Sequence, residues 1–204
     1  MTRTEEIINI LSEFIIPKCE LNFNNNYELL VAVLLSAQTT DKAVNKVCEK
    51  LFLKYKTIFD LANAKEEDIY MIIKTLGLAN TKSKNLKKLA NVIVDKYNGQ
   101  IPSKLEDLEA LPGVGRKTAN VVRALGFNIP SIPVDTHVMR VSIRLKIASP
   151  QSTVLDVEKA LMRKLPKYMW IDSHHYLLLF GRYYCKSQNP KCDGCRLKKY
   201  CKLN

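Results

Sequence analysis

The stretch that decides the fold is Leu111-Pro-Gly-Val-Gly-Arg-Lys-Thr-Ala-Asn120, here called the glycine hairpin, and segments of helical period flank it on both sides. The chain has only seven glycines, and Gly113 and Gly115 are separated by a single residue. Two glycines so close together allow a tight turn and remove side chains, so that a phosphate can approach the main chain. We expect the N–H groups of Val114, Gly115 and Arg116 to point outward at the start of the next helix, where the helix dipole favours an anion.

The charge of the chain favours a phosphate ligand for this hairpin. Lys and Arg number 32 against 20 Asp and Glu, and the net charge of +12 raises the local concentration of polyanions. A duplex phosphate would bind there without any base contact. An ordinary helix–turn–helix corner with a glycine cap is the alternative. Nucleotide hydrolysis is not expected, because no Gly-Lys-Ser/Thr run stands at the spacing of a nucleotide-binding loop.

Two residues near the hairpin are candidates for catalysis. Lys117 lies in the first turn of the following helix, where the positive dipole end and Arg116 both disfavour its ammonium form. A neutral amine is a nucleophile that can form a Schiff base, although a phosphate-binding lysine explains the same placement. Asp135, in the sequence Val134-Asp-Thr-His-Val138, is a natural helix N-cap that can also deprotonate a lysine. His137 is more typical of a packing or hydrogen-bonding histidine.

Four of the six cysteines crowd into one C-terminal segment. Cys185, Cys192, Cys195 and Cys201 have the spacing C-x6-C-x2-C-x5-C, and four thiolates within 17 residues can hold one metal centre. Zinc is an alternative, but four-cysteine zinc sites usually have two C-x2-C pairs. The uneven spacing favours a [4Fe–4S] cluster. The surrounding basic residues, Lys191 among them, suit a loop ordered against phosphates better than an electron carrier.

The period of the apolar residues is helical almost throughout, and no convincing alternation with period 2 occurs, so we predict an all-α fold. The segment 128–133 is the best candidate for a crossover between two helical lobes. The expected elements are an N-terminal helix stopped by Pro17, a buried helix over 27–35, a helix from Asp41 capped by Thr40, a segment 66–76 with Gly77 as its C-cap, and helices over 82–97, 104–110, 117–125, 136–146, 154–165 and 171–184.

The N-terminal residues 1–17 are not expected to form a signal peptide, because glutamates interrupt the apolar stretch. No run is long enough to span a bilayer. We therefore expect a cytoplasmic protein, associated with the nucleoid if it binds DNA, and its cysteines are not expected to form disulfides there. No apolar surface stripe marks a protein partner, so we expect a monomer.

Together these features resemble the endonuclease III family of helix-hairpin-helix DNA glycosylases over nearly the whole chain. The anchors are Leu34-Leu-Ser-Ala-Gln-Thr-Thr-Asp41, the glycine hairpin, Val134-Asp-Thr-His137, His174-His175, Gly181-Arg-Tyr183 and the four cysteines. The resemblance implies two helical lobes with DNA in the cleft between them. One is a six-helix barrel over 20–129 that contains a helix-hairpin-helix motif at about 104–125. The other is a discontinuous [4Fe–4S] cluster domain made of 1–19 plus 130–204.

The resemblance also implies an activity, namely a bifunctional N-glycosylase and abasic-site lyase that removes oxidised pyrimidines such as thymine glycol from double-stranded DNA. Lys117, activated by Asp135, would attack C1′ of a flipped nucleotide, and β-elimination would nick the strand 3′ to the abasic site. Gln38 would fill the space left by the flipped base, and Leu78 would be a wedge against the opposite strand. Without the family, Gln38 would be a loop residue and Leu78 a core residue. Lys191 and the hairpin backbone would contact DNA.

Other functions stay open at this point. One alternative is a monofunctional or mismatch-directed glycosylase of the same fold, and Lys117 disfavours the monofunctional form. The sister branch that removes adenine from mispairs lacks a lysine there and carries an extra C-terminal domain. A non-catalytic DNA-binding module leaves the pairing of Lys117 with Asp135 unexplained. A ferredoxin-like electron carrier is disfavoured by the net charge of +12.

Overall fold

The computed structural model describes residues 1–203 and shows only helices, turns and loops in this range, which confirms the all-α class. The helices are α1 (Arg3–Ser12), α2 (Asn26–Leu35), α3 (Asp41–Lys54), α4 (Ile58–Asn63), α5 (Glu66–Ile73), α6 (Ala79–Tyr97), α7 (Leu105–Glu109), α8 (Arg116–Phe127), α9 (Thr136–Arg144), α10 (Val154–Lys164) and α11 (Trp170–Tyr183). Short 3₁₀ turns occupy Lys167–Met169 and Lys198–Tyr200. Within residues 1–203, none of the helices combines the length and the apolar character that crossing a lipid bilayer requires.

The chain divides into two compact units with separate hydrophobic cores. One unit comprises residues 20–129 and contains α2 to α8. The other comprises residues 1–19 with 130–204 and contains α1 and α9 to α11. The apolar stripes of the helices in each unit bury themselves against one another, which is the main source of stability for helices of this length.

Helix α2 is the centre of the unit 20–129, and nine consecutive residues from Tyr27 to Leu35 are buried. Asn25 caps it by accepting a hydrogen bond from the Glu28 N–H. Helix α8 packs directly against it at Gly126, where a Cβ would lie 2.6 Å from the Asn26 Oδ1 atom. The absence of a side chain at Gly126 therefore sets how closely α8 approaches α2, and it fixes the helix that begins at the glycine hairpin.

Helix α6 is the longest in the described chain, with 19 residues, and it begins three residues earlier than the sequence predicts. The prediction that Gly77 caps a helix over 66–76 is wrong, because α5 ends at Ile73 and Lys74 is its C-cap. Gly77 lies instead in the turn before α6, where a Cβ would stand 3.7 Å from the Gln38 carbonyl oxygen. The turn therefore runs beside the backbone of the Gln38 loop, at a distance where a Cβ would make an ordinary van der Waals contact.

In the unit 1–19 with 130–204, helices α9 and α11 approach each other very closely. A Cβ at Gly181 of α11 would lie 2.9 Å from the His137 Cβ and 3.2 Å from a Val141 methyl group. This contact fixes the N-terminal turn of α9. Helix α1 ends at Ser12, before Pro17, so the prediction that this proline terminates the helix is wrong. The Glu13 N–H already closes the last turn on the Ile10 and Leu11 carbonyls.

Candidate active site

The glycine hairpin turns between α7 and α8 with Gly113 in the left-handed region at φ +79°. A Cβ there would lie 2.8 Å from the Asn85 side-chain nitrogen of α6, so both the backbone angle and the packing require glycine. The Val114 N–H donates to the Leu111 carbonyl at 3.1 Å. The expectation that this N–H points outward is therefore wrong, because it closes the turn.

Gly115 is the N-cap of α8, and the helix has no side-chain cap. A Cβ at Gly115 would meet no heavy atom within 4 Å, so the space beside its backbone is open. The first turn of α8 contains no acidic residue. The start of this helix therefore keeps its positive dipole end accessible, which is the arrangement that binds anions.

Lys117 is the second residue of α8, and it is exposed. The neighbouring Arg116 is exposed too, and its guanidinium lies 3.8 Å from the Glu109 carboxylate of α7. The hairpin thus presents one amine and one guanidinium beside an open backbone. This set of groups can bind a phosphate and can also supply a primary amine as a nucleophile.

Asp135 is the N-cap of α9, in the unit that does not contain Lys117. Its Oδ1 atom accepts hydrogen bonds from the His137 and Val138 N–H groups at 2.9 Å each. Its Oδ2 atom lies 3.0 Å from the His137 Nδ1 atom. Three contacts fix the orientation of this carboxylate, and 18% of the side chain remains exposed. His137 serves as its hydrogen-bonding partner.

Gln38 and Leu78 share an unusual backbone conformation. Both are non-glycine residues in the left-handed region, with φ +54° and +59°. The Leu78 side chain is 55% exposed, so the interpretation of Leu78 as a core residue is wrong. Gln38 is exposed on a loop that the Gly77 turn approaches. Left-handed residues with a Cβ are uncommon, and they concentrate at functional sites where surrounding structure holds them.

A contact that the sequence did not predict links α6 to the loop that carries Gln38. Lys82 of α6 is only 4% exposed, and its ammonium donates a hydrogen bond to the Thr39 hydroxyl at 2.8 Å. Burial lowers the pKa of Lys82. The sequence does contain a signal for this residue, because Lys82 occupies a position in the buried stripe that Leu86 and Leu89 continue.

The four clustered cysteines are free thiols. Burial raises the pKa of Cys195, and the thiols of Cys185, Cys201 and Cys192 contribute to the increase. The Arg144 guanidinium donates to the Cys185 Sγ atom at 3.3 Å. Within residues 1–203, no group of three or more His, Cys, Asp or Glu side chains stands close enough to hold a metal ion. Four thiols nevertheless form the donor set that iron–sulfur clusters use, so their chemistry fits such a group.

Lys191 is exposed in the same segment. Its backbone N–H donates to the Tyr184 carbonyl at 3.0 Å, and its ammonium lies 5.5 Å from the centre of the Tyr184 ring. The side chain therefore rests on an aromatic surface and keeps its charge in solvent.

Comparison with known proteins identifies the family. Residues 31–167 match the model of the HhH-GPD superfamily base excision DNA repair proteins. The chain is 50% identical to endonuclease III of Bacillus subtilis strain 168 over 185 residues, which is 91% of this chain and 84% of that protein. It is 44% identical to endonuclease III of Escherichia coli strain K12 over 91% of this chain and 87% of that protein.

The fold agrees with a solved structure of a trapped endonuclease III–DNA covalent intermediate. The TM-score is 0.94, with 45% identity over 99% of this chain and 97% of the other. The family anticipated from the sequence motifs is thereby confirmed. The expectation of a [4Fe–4S] cluster rests on that family together with the four thiols. The chain belongs to the endonuclease III family of HhH-GPD base excision DNA repair proteins.

Proposed function

We propose that this chain removes oxidised pyrimidines from double-stranded DNA and then cleaves the strand 3′ to the resulting abasic site, with Lys117 as the nucleophile. Family membership makes the chain a DNA glycosylase and abasic-site lyase of base excision repair. The observation that carries the finer proposal is the exposed Lys117 amine in the first turn of α8, beside a backbone that is open at Gly115.

In the proposed reaction, Asp135 takes the proton from the Lys117 ammonium, and the neutral amine attacks C1′ of the damaged nucleotide. The bond from C1′ to the base breaks, and the base leaves with the electron pair and accepts a proton. The sugar ring opens to give an imine with Lys117. Loss of a C2′ proton then expels the 3′ phosphate by β-elimination, and water hydrolyses the imine to release Lys117.

The hairpin supports this chemistry by positioning the strand. An uncapped helix N-terminus with no acidic residue in its first turn favours a phosphate, and Arg116 adds a positive charge there. A phosphate bound at Gly113 and Gly115 would place its nucleotide close to Lys117, which lies two residues further along the chain. Backbone recognition of this kind carries no base preference, so recognition of the lesion depends on the flipped base.

We propose that Cys185, Cys192, Cys195 and Cys201 hold the [4Fe–4S] cluster. When it is bound, the cluster would order a basic loop and take no part in the reaction at C1′. Lys191 lies in that loop with its ammonium in solvent, so it would contact a DNA phosphate. The cluster belongs to the domain that we assign to residues 1–19 plus 130–204, and the barrel with its helix-hairpin-helix motif to residues 20–129. We place the chain with DNA in the cytoplasm.

Solved relatives support a covalent mechanism, because one structural neighbour is described as a trapped covalent intermediate with DNA and another as a non-covalent complex with DNA. The second match has a TM-score of 0.93 and 46% identity. A covalent intermediate with DNA in a chain of the same fold is compatible with a nucleophile on the protein.

The test is borohydride trapping on a duplex that carries one thymine glycol, with the intact duplex as control. The wild-type chain should give a covalent complex, because borohydride reduces the imine. Lys117→Gln should give none and should still bind the duplex. Lys104→Gln, at another exposed lysine just before α7, is the matched control and should be trapped like the wild type.

The alternative outcomes are distinct. Base release without any trap would make the chain a monofunctional glycosylase. Equal loss of binding and of nicking in Lys117→Gln would make Lys117 a phosphate contact and would remove it from the mechanism. Release of undamaged bases opposite mismatches would point to the mismatch-directed function instead.

A further inference from the structure

The N-terminal turn of α6 lies next to the loop that carries Gln38. An ideal Cβ on Gly77 would lie 3.7 Å from the Gln38 carbonyl oxygen. Leu78 follows as the left-handed N-cap of α6. The family resemblance implies that Gln38 and Leu78 both enter the duplex. Two side chains on different segments can do so only if something fixes the distance between the segments.

Lys82 joins the two segments through two different groups. Its backbone N–H donates to the Leu78 carbonyl at 2.9 Å and so closes the first turn of α6. Its ammonium donates to the Thr39 hydroxyl at 2.8 Å. One residue therefore bonds to Leu78 on one side and to the neighbour of Gln38 on the other.

The Thr39 hydroxyl extends this connection around Gln38. It donates in turn to the Ala37 carbonyl at 3.3 Å, while the Thr39 N–H donates to the Ser36 carbonyl at 3.1 Å. The chain from Lys82 to Thr39 to Ala37 thus holds the residues on both sides of Gln38. This explains how Gln38 keeps a left-handed backbone at φ +54° without being glycine.

Stability alone does not explain a lysine at position 82. The side chain is 4% exposed in a stripe of apolar residues, where methionine would fill the same space without a buried charge. Burial lowers the pKa of the ammonium, which shows that the site disfavours its charge. Among residues 1–203, the partner that the structure gives the Lys82 ammonium is a neutral hydroxyl, so the ion does not gain a carboxylate in return.

We propose that Lys82 is a positioning residue that holds the Gln38 loop in register with Leu78, so that both side chains reach the duplex when the damaged nucleotide leaves the stack. This inference rests on the proposed function and on the roles that the family resemblance implies for Gln38 and Leu78. Flipping requires unstacking to be compensated at the same moment, and a displacement of about 1 Å at such a site can cost roughly a hundredfold in rate.

Helix α6 also contacts the glycine hairpin. Asn85 lies three residues after Lys82, and its side-chain nitrogen is 2.8 Å from the position of a Cβ on Gly113. One helix face therefore contacts the Gln38 loop at Lys82 and the glycine hairpin at Asn85. A shift of the Gln38 loop relative to α6 would also be a shift relative to the hairpin.

The experiment compares Lys82→Met and Thr39→Val with two controls, Thr39→Ser, which keeps the hydroxyl, and Lys84→Met, which removes an exposed charge from the same helix. Each variant is assayed in single-turnover excision of thymine glycol from a duplex at saturating enzyme. A 2-aminopurine opposite the lesion reports flipping by fluorescence. Cleavage of an abasic site in single-stranded DNA serves as a measure of the chemistry without flipping.

Lys82→Met and Thr39→Val should slow duplex excision by about tenfold or more and should also reduce the fluorescence change that flipping causes. Cleavage of the abasic site in single-stranded DNA should stay at the wild-type rate. Thr39→Ser and Lys84→Met should match the wild type in both assays. The double variant Lys82→Met/Thr39→Val should be no slower than either single variant, because both remove one interaction.

Wild-type duplex rates in Lys82→Met and Thr39→Val would overturn the inference, and so would equal losses on duplex and single strand, which indicate a general structural defect. If Lys82→Met does not fold, Thr39→Val still decides the question, because it removes one hydroxyl from a half-buried loop residue. A wild-type chain that neither excises thymine glycol nor forms the borohydride complex would refute the proposed function, and this outcome differs from all those above.

Discussion

Asp135 caps α9 and is the general base of the proposed reaction, and two substitutions separate these two roles. Its Oδ1 atom accepts the His137 and Val138 N–H groups at 2.9 Å, so the carboxylate caps α9. Asn is as good an N-cap as Asp and can accept the same bonds, whereas Ala cannot. Asp135→Asn therefore keeps the cap and removes the charge, and Asp135→Ala removes both.

The magnitudes follow from these contacts. Loss of a cap costs about 0.5–2 kcal/mol, and loss of a negative charge at a helix N-terminus costs about 0.3–1 kcal/mol. For a chain of this size, 1 kcal/mol lowers the melting temperature by roughly 2–4 °C. Loss of a general base lowers the rate by about 10²–10⁴-fold. Asp135→Asn should therefore lose nearly all activity while losing less stability than Asp135→Ala.

Thermal unfolding followed by circular dichroism gives the stability, and single-turnover excision of thymine glycol at saturating enzyme gives the activity. Lys117→Gln provides the activity level of a chain without the proposed nucleophile. If Asp135→Asn excised at close to the wild-type rate, the carboxylate would be a cap and nothing more. Rates that fall in proportion to stability across the two variants would lead to the same conclusion.

Gly113→Ala should lower the free energy of unfolding by about 1–2 kcal/mol, which is the cost of a left-handed backbone with a Cβ. Gly115→Ala should unfold like the wild type, because its Cβ enters open space, and it should bind DNA less tightly, because that Cβ lies beside the backbone. Chemical unfolding and fluorescence anisotropy with a labelled duplex measure the two effects, and a destabilised Gly115→Ala would contradict the open space. Cys48 should resist iodoacetamide at about pH 8 in the native chain, since burial raises the pKa of its thiol to about 12, and mass spectrometry of the intact protein detects any adduct. Burial lowers the pKa of His175 from 6.5, so the unfolded chain binds its proton more readily and stability should fall as the pH drops below 6.5. His175→Gln should flatten this part of the pH profile of urea unfolding, and an unchanged profile would show that other groups cause the loss.

Local signals in the sequence were sufficient for most of the helices. Thr40 before Asp41 predicts the start of α3 correctly, and the predicted helix over 82–97 ends where α6 ends, because capping depends on a few adjacent residues. Helix α4 was missed, because its six residues are too few to show a period. The prediction that Gly77 is a helix C-cap is wrong, because α5 ends earlier at Ile73 and Gly77 lies in the turn that runs beside the distant Gln38 loop.

The hairpin shows the same limit within the candidate site. The need for glycine at position 113 follows from the sequence, because a tight turn between two helices needs a left-handed residue. The second reason for it, contact with Asn85, depends on how α6 packs and leaves no trace in neighbouring residues. The sequence does not reveal the hydrogen bond from the Val114 N–H to the Leu111 carbonyl either, because this bond depends on the geometry of the turn.

The first turn of α6 reverses what hydrophobicity alone predicts, with Leu78 55% exposed and Lys82 4% exposed. Each placement costs free energy, because an apolar side chain stays in water and a cation leaves it. The packing of one helix does not explain two such costs only four positions apart, because an exchange of the two residue types would improve that packing. Departures of this kind are expected where a sequence meets a functional requirement besides folding. The exposed leucine suits a wedge for the duplex, and the buried lysine suits a tie to the Gln38 loop, so one requirement accounts for both.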